Sequence, residues 1–372
     1  MALPQSPAPR AGTSAPSVDA HIRHSEPLHV VRLTGPIFPP SDHERAQVAR
    51  RGWSFTTVSG TTPDEIIPHL GDADIVSVVG TKMPAPVIDA LHANGRCRAI
   101  ARLGAGTDRI DVARATERGI VVMNTPYFCV EEQADHAMAM ILSLARKLPL
   151  SQRLIEAGDY AGARRAAATN PRMSHTTLGL VGFGRSAEHL ARRARGFGMR
   201  VVATRRNMSA PQTSADALGV QMVDFDTVLR QSDFVSLHLP LTRDSYHLID
   251  AAAIARMRSG SFLVNTSRGA LVDEVALADA IRAGHVAGAG LDTFETFDPL
   301  EDGGPPNVHP LMGLDNVVLS PHVAAGSNRS GIDSVDAAIA NIAAVAMGQW
   351  PLPEHRVNPE VAPRFPLTEG VE

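Results

Sequence analysis

The sequence predicts an α/β protein of two domains, each built on a parallel sheet, and three observations support this class. The chain has 372 residues, more than one ordinary domain needs. Short apolar runs of strand length alternate with amphipathic stretches of helix length along most of it. The alternation stops at a long helical pattern and a polar, arginine-rich stretch. It restarts at "TLGLVGFG" with a new series of strands and helices, which indicates a second domain.

The composition is that of an ordinary globular protein, with 44% hydrophobic and 20% charged residues. A net charge of -4 gives no reason to expect nucleic acid or an anionic membrane as a partner. Cys97 and Cys129 lack metal-ligand spacing and do not suggest a disulfide framework, so we expect no metal and a reducing cytoplasm. No run approaches the roughly 18 apolar residues of a membrane span. Residues 1–27, rich in Pro, Ala and Ser, predict a disordered tail rather than a secretory signal.

The first predicted domain begins at residue 28 with "LHVVRL", a short apolar run typical of a buried strand. Three further strands are predicted at "ADIVSVVG", "CRAIARLG" and "GIVVMNT". Helical patterns lie between them, at "DEIIPHL" and "PAPVIDALHANG". Strands that alternate with helices indicate a parallel α/β unit, here residues 28–125.

The second predicted domain covers residues 126–325. It opens with "VEEQADHAMAMILSLARKL", whose apolar residues recur at spacings of three and four, as on one face of a helix. After "TLGLVGFG", strands are predicted at "MRVVATRR", "FVSLHLP", "SFLVNTS", "AGAGLDTF" and "NVVLSPH". The last long helical pattern, "SVDAAIANIAAVAMGQ", is amphipathic. We expect it to cross back, so that residues 326–372 rejoin the first domain.

A dinucleotide site is predicted at "TLGLVGFGRSAEHLARRARGFG", an apolar strand followed by a glycine turn and a helix. Gly182 permits the tight turn, and Gly184 lets the backbone approach a pyrophosphate. Ala187 takes the third position, which needs a small residue for helix packing. The helix start at Arg185 and Ser186 would supply N–H groups and a positive dipole end to the phosphates. A tight strand-to-helix turn could give the same pattern, but the strand and helix on either side favour cofactor binding.

The end of the next strand bears on the choice between NAD and NADP. NAD sites commonly place an acid about 20 residues after the glycines, on the ribose 2′-hydroxyl. Here "VVATRRN" has no acid and carries Arg205 and Arg206, which suit a 2′-phosphate. We therefore favour NADP, and keep NAD with two solvated arginines as the alternative.

Several long motifs identify a resemblance. The strings "NTSRGALVDEVALADAI", "TLGLVGFG", "LHLPLT" and "SPHVAAG", with "ARLGAGTDRIDVARATERGIVVMNTP" and "VEEQADHAMAMILSLAR", closely resemble the D-isomer-specific 2-hydroxyacid dehydrogenase family. The resemblance implies two Rossmann-like, doubly wound parallel-sheet domains, with a substrate domain that is discontinuous in sequence. It also implies a homodimer, and an oxidoreductase that transfers a hydride between NAD(P) and a small 2-keto or D-2-hydroxy acid.

The resemblance assigns roles to residues that match its motifs. Arg268 matches the arginine that binds the substrate carboxylate, and His322 matches the acid/base. An unperturbed imidazole pKa near 6.5 suits proton exchange around neutral pH. Gly104, Ala105 and Gly106 match the loop whose backbone N–H groups hold the carboxylate.

Three more positions match residues that line the cofactor. These are Pro240 in "HLPLT", Thr266 in "NTSRG", and Asp292, which matches an acid near the nicotinamide carboxamide.

The chain departs from the family pattern at "DTFETFDPL". The family usually reads D-V-F-E-x-E-P there, and its second glutamate orients the histidine. With one inserted residue, Asp298 replaces that glutamate and the following proline keeps its place, which is the alignment we favour. Without a gap, Phe297 takes the position, and His322 loses the partner that would raise its pKa. Glu295 matches the first, non-catalytic glutamate, so we expect a solvated loop acid.

The irregular glutamate position leaves one alternative of another class open, a nucleotide-sensing, corepressor-like binding protein on the same fold. A third alternative keeps the enzyme but takes formate or phosphite as the donor. The sequence does not identify the substrate.

Overall fold

The structure is a computed structural model that describes residues 27–35, 38–296 and 309–370. Residues 1–26 of the predicted tail lie outside the described residues. Phe297 and Asp298, the two competing candidates for the partner of His322, also lie outside them.

The N-terminal part of the chain forms a parallel sheet of five described strands, in the order β2-β1-β3-β4-β5. Four of these strands coincide with the apolar runs that the sequence predicts. The second strand was missed, because it lies at the sheet edge and only one of its six residues is buried. The strands are β1 (His29–Thr34), β2 (Ser54–Ser59), β3 (Ile75–Val78), β4 (Ala99–Arg102) and β5 (Val121–Met123).

Four helices connect these strands, and side-chain caps fix where two of them begin. Ser41 accepts a hydrogen bond from the Glu44 N–H, and Asp111 accepts one from the Arg114 N–H. The predicted "DEIIPHL" helix is one short turn that continues as a 3-10 turn, since a proline interrupts it. The helices are α1 (Asp42–Arg50), α2 (Pro63–Ile66), α3 (Ala85–Ala93) and α4 (Val112–Glu117).

The second sheet has seven described strands, all parallel, in the order β12-β11-β10-β9-β6-β7-β8. Only the two-residue strand β8 was absent from the predicted series. Two parallel sheets with connecting helices confirm the predicted fold class. The strands are β6 (Thr177–Val181), β7 (Arg200–Thr204), β8 (Gln221–Met222), β9 (Phe234–Leu237), β10 (Ser261–Asn265), β11 (Val286–Leu291) and β12 (Val317–Leu319).

Eight helices accompany this sheet. The first and longest buries seven residues against the sheet and against the helix that follows the glycine turn. None of the described helices is both long and apolar enough to span a bilayer. The helices are α5 (Val130–Arg146), α6 (Leu148–Glu156), α7 (Tyr160–Ala167), α8 (Arg185–Gly196), α9 (Thr213–Leu218), α10 (Phe225–Gln231), α11 (Ala251–Arg256) and α12 (Glu274–Arg282).

The C-terminal part of the chain packs against the first sheet. Helix α13 (Ser330–Ala346) contacts α1 and β4, and its Ile342 lies in the apolar cluster of the five-stranded sheet. Beyond it, the buried Asn358 accepts a hydrogen bond from Val122 N at 2.7 Å and donates to Ile120 O at 3.1 Å. The segment after α13 therefore borders β5.

Candidate active site

The glycine turn between β6 and α8 has the geometry of a phosphate-binding turn. Gly182 has φ +90°, a conformation that L-residues rarely adopt, and a Cβ there would overlap the carbonyl of His238. A Cβ on Gly184 would instead enter open space, so the backbone leaves room where a phosphate would approach. Ala187 is fully buried, as the third fingerprint position requires. These observations fit a bound dinucleotide.

The start of α8 contacts two neighbouring elements. Ser186 Oγ lies 3.1 Å from His238 Nδ1, and His238 Nε2 lies 2.9 Å from Ser236 Oγ. Burial lowers the pKa of His238 to about 4, so this imidazole is neutral and serves as a hydrogen-bonding support beneath the turn. The guanidinium of Arg185 lies 4.0 Å from the ring centre of Tyr127, a cation–π contact to the segment that follows β5.

Two further predicted cofactor positions lie on loops of the seven-stranded sheet. Thr266 follows β10 and is buried, yet its hydroxyl oxygen has no hydrogen-bond partner among the described residues. A buried hydroxyl without a partner is costly unless a ligand supplies one, which fits a cofactor in this place. Pro240 is exposed after β9, and its carbonyl accepts from Ser245 Oγ at 2.9 Å.

The two arginines after β7 make different contacts. Arg205 donates from Nη2 to the carbonyls of Ala210 and Pro211, the latter at 2.8 Å, and so holds its own loop together. Arg206 is exposed and lies 3.3 Å from the exposed Asp244. Arg206 is therefore the more accessible of the two guanidinium groups.

One cavity of about 640 Å³ is lined by predicted site residues from loops of both sheets. Gly106 enters its wall from the loop after β4. Arg268 enters from the loop after β10, and His322 from the loop after β12. A volume of this size is in the range of small-molecule sites.

Arg268 is oriented by contacts from both parts of the chain. Its Nε and Nη2 both donate to Asp108 Oδ1 at 3.0 Å, and its Nη1 donates to Ser267 O at 2.7 Å. Burial raises the pKa of Asp108, but the charge and hydrogen bonds of Arg268 outweigh burial, and the pKa lies below its ordinary value. A Cβ on Gly106 would overlap the Arg268 guanidinium, so a glycine at this position allows the arginine to reach the loop. The fully buried Asn265 fixes the arginine loop by donating to Arg268 O at 2.7 Å.

A second arginine, Arg102, adjoins the same loop. Its Nε donates to Gly106 O at 3.0 Å, and its Nη1 donates to Leu103 O. Burial and the nearby Arg268 lower the pKa of Arg102 to about 10. Sequence reasoning missed Arg102 and Asp108, although both lie in the quoted "ARLGAGTDRID" motif. The sequence signal that could have identified Arg102 is a charged residue at the end of an otherwise apolar strand.

His322 lies in a loop that Asp292 holds. The backbone of His322 has φ +56°, and its N–H donates to Asp292 O at 2.7 Å. The fully buried Asp292 carboxylate accepts from Val323 N at 2.9 Å, from Ala324 N at 2.8 Å and from Ser320 Oγ at 2.5 Å. The acid that the resemblance places near the nicotinamide thus also fixes the backbone on either side of His322.

The imidazole of His322 has a lowered pKa, about 4. Burial is the main cause, and the positive charge of Arg268 adds to it. An anionic substrate between the two groups would raise this pKa, because it would offset the charge of the arginine.

Glu295 is not the solvated acid that the sequence suggested. It accepts from Tyr246 Oη at 2.8 Å and lies 2.8 Å from His247 Nε2, while its own N–H donates to Glu274 Oε1 at 3.0 Å. Glu274 is buried, and its second oxygen lies 2.9 Å from Nε2 of the buried His309. One carboxylate therefore binds residues on both sides of segment 297–308. Sequence spacing gave no sign of this contact.

Comparison with known proteins shows the family to which this chain belongs. Residues 138–324 match the model of the D-isomer specific 2-hydroxyacid dehydrogenase, NAD binding domain. The chain belongs to the D-isomer specific 2-hydroxyacid dehydrogenase family. It is an oxidoreductase that uses a nicotinamide cofactor and acts on 2-keto or 2-hydroxy acids.

Named relatives agree with this assignment. The dehydrogenase is 39% identical over 306 residues to a glyoxylate reductase of Korarchaeum cryptofilum, covering 80% of this chain and 86% of the relative. It is 37% identical over 278 residues to a hydroxypyruvate reductase of Thermotoga maritima, covering 73% of this chain and 86% of the relative. The crystal structure of a glyoxylate reductase from Paecilomyes thermophila superimposes with a TM-score of 0.78 at 28% identity, covering 90% of this chain and 99% of that one. These relatives do not favour the corepressor-like alternative.

Proposed function

We propose that this dehydrogenase works as a reductase of small 2-keto acids of the glyoxylate or hydroxypyruvate type, with NADPH as its preferred donor. The observation that carries the proposal is the convergence of Arg268, His322 and the Gly104–Gly106 loop on one cavity. Two of the relatives named above are reductases of such acids.

The substrate carboxylate is held between Arg268 and the loop. The N–H groups of Ala105 and Gly106 donate to no described residue, so they are available to a carboxylate oxygen. Arg268 carries fixed positive charge beside this position and polarises the reacting ketone oxygen. The reduced nicotinamide supplies the hydride when it is bound.

His322 donates the proton that the ketone oxygen needs during reduction, and removes it during oxidation. Asp292 keeps the loop of His322 in place through the backbone of Val323 and Ala324. We also propose Asp298 as the carboxylate partner of the imidazole. The support is that Pro299 then keeps its place in the motif, and Phe297 in that position remains the competing possibility.

Consumption of NADPH tests the activity. Purified protein is assayed at 340 nm with glyoxylate, hydroxypyruvate and a series of longer 2-keto acids, against His322→Ala as the control. We expect turnover that the variant lowers by about a hundredfold or more, in the range of lost acid/base catalysis. Equal rates for the wild type and the variant on every substrate would refute the proposal.

The NADP preference rests on Arg205 and Arg206, since no acid follows β7 in "VVATRRN". Arg206 is the better residue to replace, because a change at Arg205 would also remove its hydrogen bonds within the loop after β7. Arg206→Ala should lower the kcat/KM ratio of NADPH to NADH about tenfold, the effect of losing a charge-assisted bond to a phosphate. Arg230→Ala, which removes an exposed arginine paired with Asp226 in α10, is the control. A ratio near one in the wild type would contradict the NADP proposal.

We further propose a homodimer that uses α6 and α7. Neither helix has a buried residue, and the chain exposes 56% of Leu148, 48% of Ile155 and 66% of Tyr160 there. Light scattering after gel filtration should give the dimer mass for the wild type and the monomer mass for Ile155→Glu. The control Val275→Glu, at an exposed valine of α12, should remain dimeric. A monomeric wild type would contradict the dimer.

The domain division and the location of the protein are proposals as well. We assign residues 28–125 and 326–372 to the substrate domain and residues 126–325 to the cofactor domain. Packing of α13 against α1 and β4 supports this division. A cytoplasmic location is supported by Cys97 and Cys129, which are both free thiols. Cell fractionation with antibody detection would test the location, and limited proteolysis would test the division.

A further inference from the structure

The cavity wall is rich in positive charge. Its described lining residues include four arginines and two carboxylates, without counting histidines. The keto acid itself offsets one positive charge through its own carboxylate. The charged lining residues are Arg32, Arg102, Arg109, Arg268, Glu44 and Asp108.

The two carboxylates are already used by two of the arginines. Arg32 Nε lies 2.9 Å from Glu44 Oε1 in a pair that is almost fully buried. Arg268 Nη2 lies 3.0 Å from Asp108 Oδ1. Both of these arginines thus have a carboxylate counter-charge within the cavity wall, which offsets part of their charge before a ligand binds.

Arg102 has no such partner. Among the described residues its guanidinium forms no ion pair, and its hydrogen bonds go to the carbonyls of Leu103 and Gly106. Carbonyl oxygens solvate a guanidinium but do not neutralise it. The nearby carboxylate of Asp108 is hydrogen-bonded to Arg268 instead. A half-buried cation without an ion-pair partner of its own, in the wall of a ligand cavity, is stabilised when the ligand brings a negative charge.

The substrate carboxylate next to the ketone does not need Arg102. Arg268 and the N–H groups of Ala105 and Gly106 already provide the donors that one carboxylate accepts. Arg102 is therefore a surplus donor, with charge and planar geometry suited to a second carboxylate.

We propose that, within the class of short 2-keto acids that this enzyme reduces, the preferred substrate carries a second carboxylate, and that Arg102 binds this second group. The inference rests on the proposed function, because it specifies the substrate class of the same site. Arg102 and Arg268 both adjoin Gly106, so the two guanidinium groups lie near each other and favour a diacid with a short carbon chain.

Matched substrates test the proposal in the wild-type enzyme. The kcat/KM for reduction is measured with oxaloacetate, with its neutral 4-amide, and with 2-oxobutyrate, which lacks the second carboxylate. We expect oxaloacetate to exceed both by about tenfold or more, as a charge-assisted pair provides. Turnover of 2-oxobutyrate without a preference for the diacid would overturn this inference and leave the proposed reductase activity standing. No turnover of any 2-keto acid would overturn both.

Two variants locate the second carboxylate. Arg102→Gln keeps a donor for the Gly106 carbonyl but removes the charge, and should lower the ratio of oxaloacetate to amide at least tenfold. Arg102→Lys keeps the charge and should retain part of the preference. Arg282→Gln, which alters an exposed arginine of α12 outside the cavity wall, should leave the ratio unchanged. An unchanged ratio in Arg102→Gln would mean that Arg102 binds the carboxylate common to all substrates, and would overturn the assignment. If the variants do not fold, the wild-type comparison decides alone.

Discussion

Replacing Glu274 tests how strongly one buried carboxylate contributes to the stability of the cofactor domain. Its two oxygens bind the N–H of Glu295 and the ring of His309, which lie on either side of segment 297–308. Burial raises the pKa of Glu274, more than the hydrogen bonds from His309 and Glu295 lower it. Glu274→Ala removes both acceptors at once and leaves a buried imidazole without its partner.

The expected loss of stability in Glu274→Ala follows from these two lost contacts. A buried donor left without an acceptor costs about 1–3 kcal/mol, and the Glu295 N–H, which is only partly buried, costs less than the buried His309, so Glu274→Ala should reduce the free energy of unfolding by about 2–4 kcal/mol. Glu274→Gln keeps one acceptor oxygen and a similar shape, so it should reduce the free energy of unfolding by about half as much as Glu274→Ala. Asp279→Ala is the control on the same helix, because it removes only an exposed pair with Arg282 and should cost less than about 1 kcal/mol.

Urea unfolding with two probes measures the effect and locates it. Trp53 and Trp350, the two tryptophans of the chain, both pack against the five-stranded sheet, so their fluorescence follows the other domain. Circular dichroism follows both sheets. Glu274→Ala should shift the circular dichroism transition to lower urea more than it shifts the fluorescence transition. A shift no larger than that of Asp279→Ala would mean that the contacts of Glu274 with Glu295 and His309 do not stabilise the protein.

Three further predictions concern the site. Burial and Arg268 lower the pKa of His322 to about 4, whereas Asp298, as the proposed partner of the imidazole, would raise it again. Since reduction needs the protonated form, kcat/KM for reduction should fall about tenfold per pH unit above the pKa of His322, while kcat/KM for oxidation stays level there. A reduction profile that does not fall as pH rises, measured at low substrate, would contradict this. Gly182→Ala should destabilise the protein by about 1–3 kcal/mol in thermal unfolding, because residue 182 has a positive φ and its Cβ would meet a backbone carbonyl. Gly184→Ala is the matched variant, because its Cβ would enter open space. It should unfold like the wild type but bind NADPH more weakly in a fluorescence titration, since the new methyl group lies where the phosphate approaches. Gly106→Ala should raise KM for the keto acid about tenfold, since the new methyl group displaces Arg268, and an unchanged KM would show that the loop shifts without loss.

The elements with strong local patterns could be predicted from the sequence. The buried strands of both sheets are continuous apolar runs, and the glycine turn is short-range chemistry, so β6, Gly182 and α8 were all found. The edge strands β2 and β8 were missed because pairing with a neighbour, rather than apolar content, defines them.

Contacts between distant parts of the chain could not be predicted from spacing. Arg268 and Asp108 are 160 residues apart, and their ion pair exists only because two sheets face one cavity. Glu295 looked like a loop acid because its partners, Tyr246 and His247, lie nearly 50 residues earlier. The role of Asp298 stays a prediction, as the described residues do not include it.

The border between β5 and the C-terminal segment has a consequence for synthesis on the ribosome. All described strands of the seven-stranded sheet are synthesised before Asn358, so the sheet that starts later in the chain has all these strands before the first sheet is complete. The five-stranded sheet begins the chain but receives the hydrogen bonds of Asn358 to Ile120 and Val122 only at the end. A nascent chain stopped before Asn358 would therefore expose the edge of β5, and this stage of synthesis is the one at which we expect the protein to be most prone to aggregation.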